Sequence, residues 1–236
     1  MRMIDLFKIS FNVLFKTNLL VGLEMKDLLK IIFISICVIL GLLIIFIILF
    51  PFIRRRYIFR NFKKVYYKKI NNIVLNHDYL LINNLTLNDR EGKICTIDHL
   101  IFAHKYIYVI KDRYYRGAIV GKKEDNIWFF YGKDGQKEEF ENPMYINKKR
   151  IEKFSNVTHF DKEYFISIVL INNDCVIKNL KSLNGGDSYI IPYSKLNSLI
   201  KTIESKDVPP INQKALEKVV LEIAALKGKS VNDEIE

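Results

Sequence analysis

Cysteine and metal-binding patterns are scarce in this sequence. The three cysteines are odd in number and far apart, and no pair has CxxC spacing. This argues against a disulfide framework or a zinc site, and it favours a globular part that faces a reducing compartment. The four histidines also do not have ligand spacing, and the sequence contains no glycine-rich phosphate loop and no serine nucleophile motif. The cysteines are Cys37, Cys95 and Cys175, and the histidines are His77, His99, His104 and His159.

Charged residues are absent from residues 31–53, where most residues are Ile, Leu, Val or Phe. A helix of this length spans the hydrocarbon core of a bilayer, which is about 30 Å thick. A signal peptide has an apolar region of only about 7–15 residues, and a soluble core helix would have polar positions along one side, whereas this run shows only Ser35. We therefore predict one transmembrane helix at 31–53, after a flexible N-terminal tail at 1–30 in which Met25 is an alternative start.

Acidic residues are absent between this run and Asp78, whereas lysine and arginine are frequent there. We predict a basic juxtamembrane helix at 54–76. The excess of cations favours a single-pass protein of the cell membrane with its N-terminus outside and its domain in the cytoplasm. The first cations should contact anionic lipid headgroups, each contributing about 1 kcal/mol; nucleic-acid binding by the same segment is the alternative. The residues expected at the membrane surface are Arg54, Arg55, Arg56, Arg60, Lys63 and Lys64.

The net charge of +11 and the isoelectric point near 9.4 also point towards nucleic acid. However, the sequence is rich in Lys, Ile and Asn, as expected of an AT-rich coding sequence. The overall charge is therefore a weak guide to the partner.

Residues 77–205 have the pattern of an α/β domain. Apolar and β-branched runs predict strands at 79–87, 118–121, 127–131 and 164–171. The stretch 97–117 predicts two paired strands with a turn at His104-Lys105, which would bring Asp98 and Lys111 to the same edge of a sheet. Asn142-Pro143 begins a helix, and Ser194 is expected to cap another. Residues 206–236 form a C-terminal helix and tail, whose apolar face at 212–227 packs on the domain or pairs with a second copy.

An ordered series of motifs in this region resembles the nuclease-related domain family, NERD, of the restriction-endonuclease-like PD-(D/E)xK group. The series covers about residues 60–205 and implies an α/β fold with a mixed central sheet flanked by helices, preceded here by one transmembrane helix. The motifs that carry the resemblance are Ile97-Asp98-His99, Val109-Ile110, Tyr115-x-Gly117, Trp128 and Asn142-Pro143.

The sequence departs from the family at the catalytic positions. Lys111-Asp112-Arg113 stands where the family has Glu-x-Lys, and Ile146 stands where it has Gln. A protonated lysine has three donors and no acceptor, whereas a hard cation needs several oxygen ligands. We expect Lys111 to pair with Asp98 and to occupy the metal position, and Asp112 to point to the opposite face of the strand. Asp98, Lys111 and Arg113 would then be the remnant of a catalytic site, with no cofactor.

The resemblance, with these departures, implies an inactive nuclease-like module that binds nucleic acid or acts as a scaffold at the cytoplasmic membrane face. One alternative is an active nuclease that holds Mg²⁺ or Mn²⁺ through Asp98, Asp112 and Glu91. A second alternative is a protein-interaction module. The expected partners are the membrane and its anionic headgroups, with DNA and a second copy of the chain as further candidates. The candidate nucleic-acid-binding residues are Arg113, Arg116, Lys148, Lys149 and Arg150.

Overall fold

The computed structural model of the chain describes residues 25–88, 94–132, 135–178 and 180–232. The predicted tail lies outside these residues except for its last six positions. The chain divides into two units, Met1–Ile58 and Phe59–Glu236, and the candidate site lies in the second.

A long helix, α1 (Met25–His77), contains the uncharged run and the basic segment that follows it. Its apolar part has a mean hydropathy of 3.5 and is long enough to cross a membrane. Apart from Gly41, every residue at positions 31–53 is exposed. The helix begins at Met25, six residues before the predicted span, and the backbone of Asn61 interrupts it with φ −124° and ψ 24°. The sequence thus correctly predicts one candidate membrane span.

Among the described residues, the second unit contains a five-stranded sheet in the order β1-β2-β3-β7-β9. β1, β2 and β3 are antiparallel neighbours, whereas β7 is parallel to both β3 and β9. The sheet is therefore mixed, as predicted. Its strands are β1 (Leu80–Asn88), β2 (Ile94–Phe102), β3 (Ile107–Asp112), β7 (Phe165–Ile171) and β9 (Ser188–Pro192).

Helices cover both faces of this sheet. The helices are α2 (Pro143–Thr158), α3 (Leu180–Leu183), α4 (Leu196–Glu204) and α5 (Gln213–Asn232). On one face, Tyr66 and Ile70 of α1 and Ile200 of α4 pack against the sheet. On the other face, Phe154 of α2 and Val219 of α5 are buried in a second apolar cluster. β7 is buried along its whole length, which explains why its sequence is apolar except for Ser167.

A four-stranded sheet in the described residues has the order β6-β5-β4-β8. Its strands are β4 (Gly117–Val120), β5 (Ile127–Gly132), β6 (Lys137–Glu141) and β8 (Val176–Ile177). Trp128 of β5 is fully buried with Val169 of β7 and Met144 of α2. This third cluster joins the two sheets into one unit, with Trp128 in its core.

Two segments that the sequence analysis placed outside the domain contribute to its core. The second half of α1 supplies Tyr66 and Ile70, which are fully buried. α5 supplies Val219 and Ile223, so the described part of its apolar face packs on the domain. The expected cap at Ser194 is wrong, because this residue lies in a 3-10 turn before α4 and no side chain caps that helix.

Candidate functional site

The hairpin brings Asp98 and Lys111 together at one end of the central sheet. β2 and β3 pair His99 with Ile110, so Asp98 and Lys111 are the next neighbours along the two strands. Lys111 Nζ donates to Asp98 Oδ1 at 2.7 Å, and the backbone N–H of Asp112 donates to Asp98 Oδ2 at 3.0 Å. Both oxygens of the Asp98 carboxylate are thus engaged. The ion pair expected from the sequence is present.

This ion pair is mostly shielded from water. The Lys111 and Asp98 side chains are 12% and 16% exposed. The pKa of Lys111 is lowered chiefly by burial and also by the charges of Arg150 and Arg113, whereas the hydrogen bond to Asp98 and its negative charge act in the opposite direction. Arg113 and Arg150 are thus close enough to Lys111 for their charges to act on it.

The backbone of β1 is irregular opposite Asp98. Asn84 has a left-handed conformation with φ 50°. Ile97 is buried beneath α2 and α5, whereas His99, two residues later, lies against Tyr67 of α1 with 6.4 Å between ring centres. Side chains two positions apart normally share one face of a strand. His99 pairs with Ile110, which belongs to the cluster on the α1 face, so the irregular segment accounts for Ile97 lying on the other face.

On that face, His99 connects Asn83 with Asp112. The His99 Nδ1 atom lies 2.6 Å from Asn83 Oδ1, and its Nε2 atom lies 3.0 Å from Asp112 Oδ2. Asp112 is only 4% exposed, and its Oδ1 atom has no hydrogen-bond partner among the described residues. As expected, Asp112 points away from the face that holds Lys111. The sequence analysis did not anticipate that His99 and Asp112 would meet there.

α2 places Asn147 beside β3, whereas Ile146, in the position expected for Gln, supplies no polar group. Asn147 is 1% exposed and donates through Nδ2 to the Val109 carbonyl at 2.8 Å and to Ser167 Oγ at 3.0 Å. Asn147 was not predicted from the sequence. The sequence signal that could have indicated Asn147 is its amide side chain, because it directly follows Ile146, the position at which the family has Gln.

The structure separates the predicted nucleic-acid-binding residues into three places. Arg113 and Arg150 lie near Lys111, and the Arg150 Nη1 atom is buried without a hydrogen-bond partner in the described residues. Arg116 stacks on Phe59 of α1, with its guanidinium 3.3 Å from the ring centre. Lys148 and Lys149 border another cavity, which also contains acidic side chains. Only Arg113 and Arg150 are thus placed next to the remnant site.

The residues near Asp98 do not fit a divalent metal. Mg²⁺ and Mn²⁺ prefer several oxygen ligands, yet Asp98 already accepts hydrogen bonds on both oxygens, one of them from an ammonium group. The Asp112 carboxylate contacts His99 on the opposite face. No group of three or more His, Cys, Asp or Glu side chains in the described ranges can hold a metal ion. Glu91, named in the active-nuclease alternative, lies outside those ranges.

The motif residues on which the family resemblance rests have identifiable structural roles. A Cβ atom at Gly117 would lie 2.0 Å from the Tyr131 carbonyl oxygen, so only glycine fits there. Trp128 Nε1 donates to the Lys122 carbonyl at 2.8 Å. Asn142 caps α2 through its Oδ1 and donates through Nδ2 to the Asp125 carbonyl at 2.7 Å, and Pro143 begins the helix. These motifs therefore position the two sheets and α2 around the site.

The second unit is a mixed α/β domain, and a family model supports a nuclease-like module. The family model described as nuclease-related domain, NERD, matches residues 60–172. The match covers 113 of the 236 residues and agrees with the resemblance that the motifs indicate.

A curated relative, an uncharacterized protein of Bacillus anthracis, is 26% identical over 127 residues, which are 54% of this chain. The chain spans 57% of the length of that relative. No solved structure matches.

Proposed function

We propose that this chain is a membrane-anchored, catalytically inactive NERD module that binds the phosphate backbone of nucleic acid at the cytoplasmic membrane face. The observation that carries the proposal is the Lys111–Asp98 ion pair with Arg113 and Arg150 beside it. An ammonium group occupies the place where a nuclease of this family would hold a cation. The site consequently favours anions.

The proposed inactivity is supported by the two hydrogen bonds that the Asp98 carboxylate already accepts. Metal-assisted hydrolysis needs a cation to polarise the phosphate and to lower the pKa of bound water. Here the lysine and a backbone N–H neutralise and orient the carboxylate instead. A cation would have to displace Lys111 and would then stand beside Arg113 and Arg150.

Phosphate binding is supported by the surplus of positive charge. The Asp98 carboxylate offsets one of the three charges on Lys111, Arg113 and Arg150. Arginine forms bidentate hydrogen bonds with phosphate oxygens, and the side chains of Arg113 and Arg150 are both partly exposed. Backbone contacts of this kind give binding without sequence preference.

The proposed binding is tested with the full chain in phosphatidylcholine nanodiscs and a fluorescent DNA duplex. We expect the dissociation constant to rise steeply with salt, and Arg113→Gln/Arg150→Gln to reduce the salt slope by about 1.8, because each lost phosphate contact contributes about 0.9. The matched control is Lys195→Gln/Lys214→Gln, which removes two exposed charges elsewhere in the domain. Absent or salt-independent binding, or equal slopes for the two double variants, would contradict the proposal.

Membrane anchoring is supported by the exposed apolar run of α1 and by the cations that follow it. In the proposed orientation the N-terminus is outside, and Arg54, Arg55 and Arg56 contact anionic headgroups. We expect protease added to intact cells to remove an N-terminal tag and to spare a C-terminal tag until the cells are permeabilised. Release of the protein by an alkaline carbonate wash, or the reverse pattern of protection, would contradict anchoring or orientation respectively.

A further inference from the structure

A cavity of about 400 Å³ lies between α1 and the strands β1, β2 and β3. This volume is within the range of about 300–1,000 Å³ that is usual for small-molecule sites. α1 contributes Lys63, Lys64 and Tyr67 to its lining, and the strands contribute Asn83, Asn84, Asp98, His99 and Asp112. Asp98 is shared with the proposed nucleic-acid site, but both of its carboxylate oxygens already accept hydrogen bonds from Lys111 and from the backbone of Asp112. Lys111, Arg113 and Arg150 are outside the lining.

The two ends of the lining differ in charge. Lys63 and Lys64 are exposed on α1, so they provide positive charge at the rim. Asp112 is buried, and His99 contacts only its Oδ2 atom. Its Oδ1 atom is buried without a hydrogen-bond partner within the described residues. A buried acceptor of this kind costs about 1–3 kcal/mol when it stays unsatisfied, and more when it is charged. A ligand with N–H donors would satisfy it.

We propose that this cavity binds a phosphorylated amine, with the phosphate at Lys63 and Lys64 and the ammonium group at Asp112. A simple anion would not satisfy the Asp112 carboxylate, and a metal cation would be repelled by the two lysines. A zwitterion that carries both groups matches both ends. The same chemistry occurs in the ethanolamine headgroup of a phospholipid and in a free phosphoethanolamine ester.

The decisive comparison uses two soluble probes and the full chain in phosphatidylcholine nanodiscs. Glycerophosphoethanolamine and glycerophosphocholine carry the same phosphate and the same positive charge, but only the first has N–H donors on nitrogen. By calorimetry, glycerophosphoethanolamine should bind at least about tenfold more tightly, which corresponds to about 1.4 kcal/mol. Equal affinities, or equally tight binding of inorganic phosphate, would overturn the proposal.

Substitutions in the cavity lining test which side chains bind the phosphate and which side chain binds the ammonium group. Lys63→Gln/Lys64→Gln should weaken binding of glycerophosphoethanolamine at least about tenfold, an effect of about 1.4 kcal/mol. Lys68→Gln/Lys69→Gln, which removes two charges from the same helix outside the cavity lining, should leave it unchanged. Asp112→Asn should abolish the preference over glycerophosphocholine, and if this variant does not fold, the two-probe comparison with the wild-type protein still decides. Equal effects of the two lysine pairs, or a preference that survives in folded Asp112→Asn, would overturn the proposal.

The lipid composition of the nanodiscs distinguishes the two possible sources of the ligand, a phospholipid headgroup and a free ester. If a headgroup occupies the cavity, nanodiscs that also contain phosphatidylethanolamine should abolish binding of the soluble probe. If the ligand is a free ester, the probe should bind equally well in both kinds of nanodisc. Either result agrees with the proposed chemistry and identifies where the phosphorylated amine comes from.

Discussion

Replacing Lys111 by glutamate and Arg113 by lysine should convert the Asp98 site from one that excludes divalent cations into one that binds them. Lys111→Glu changes the local charge by two units and adds oxygen ligands where the ammonium of Lys111 now contacts Asp98 Oδ1 at 2.7 Å. Arg113→Lys restores the rest of the Glu-x-Lys pattern of the family. We expect Mn²⁺ to bind the double variant at least about tenfold more tightly than the wild-type protein, a difference of about 1.4 kcal/mol, by calorimetry.

Two further variants distinguish the effect of the added oxygen ligands on Mn²⁺ binding from the effect of removing the positive charge of Lys111. Lys111→Met removes the cation without supplying oxygen ligands, so it should bind Mn²⁺ much more weakly than the double variant. Asp98→Asn added to the double variant should abolish the gain, because the site then loses its original carboxylate. If the wild-type protein binds Mn²⁺ as tightly as the double variant, or cleaves DNA when Mn²⁺ is present, the proposed inactivity is wrong.

The sequence predicted the parts of the fold in which the local signal and the tertiary environment agree. The hairpin around His104 was predictable because both strands are β-branched and aromatic and are buried in the core. The start of α2 was predictable because Asn142 and Pro143 satisfy helix N-terminal geometry by themselves. The candidate span was predictable because it is uncharged over a membrane-length run.

Elements that depend on their neighbours were not predictable from local pattern. β6 consists of Lys137-Glu138-Glu139-Phe140-Glu141, and it is a strand because it pairs with β5 while most of its side chains remain exposed. α5 has an apolar face that fits either the domain or a second copy, and only the core cluster shows that Val219 and Ile223 pack on the domain.

The site was predicted on one face of the sheet and missed on the other. Asp98 and Lys111 lie opposite each other on the paired strands β2 and β3, so their contact was predictable from the hairpin alone. His99 pairs with Ile110, and Asp112 lies two residues after Ile110 on the same face, so the register also allows the contact between His99 and Asp112. This contact and the cavity on the α1 face were nevertheless not predicted.

Asp98→Ala should destabilise the domain by about 3 kcal/mol, because removal of one partner of a mostly buried ion pair leaves the other charge uncompensated. The Lys111 side chain is 12% exposed, and the backbone N–H of Asp112 would also lose its acceptor. For a domain of this size the loss corresponds to a decrease of roughly 6–12 °C in melting temperature. The fluorescence of Trp128, the single tryptophan of the chain, reports unfolding because this side chain is fully buried.

Asp98→Ala/Lys111→Met should recover much of this stability, because the double variant no longer buries an unpaired charge. The loss in Asp98→Ala alone should also shrink as the pH rises towards 10.5, the ordinary pKa of lysine. The folded-state pKa of Lys111 is already lowered, and removal of Asp98 lowers it further, so the unfolded chain binds more protons in this window and stability increases with pH. If the single and double variants lose the same stability relative to the wild-type protein, and neither loss depends on pH, the ion pair does not contribute to the stability of the domain as described.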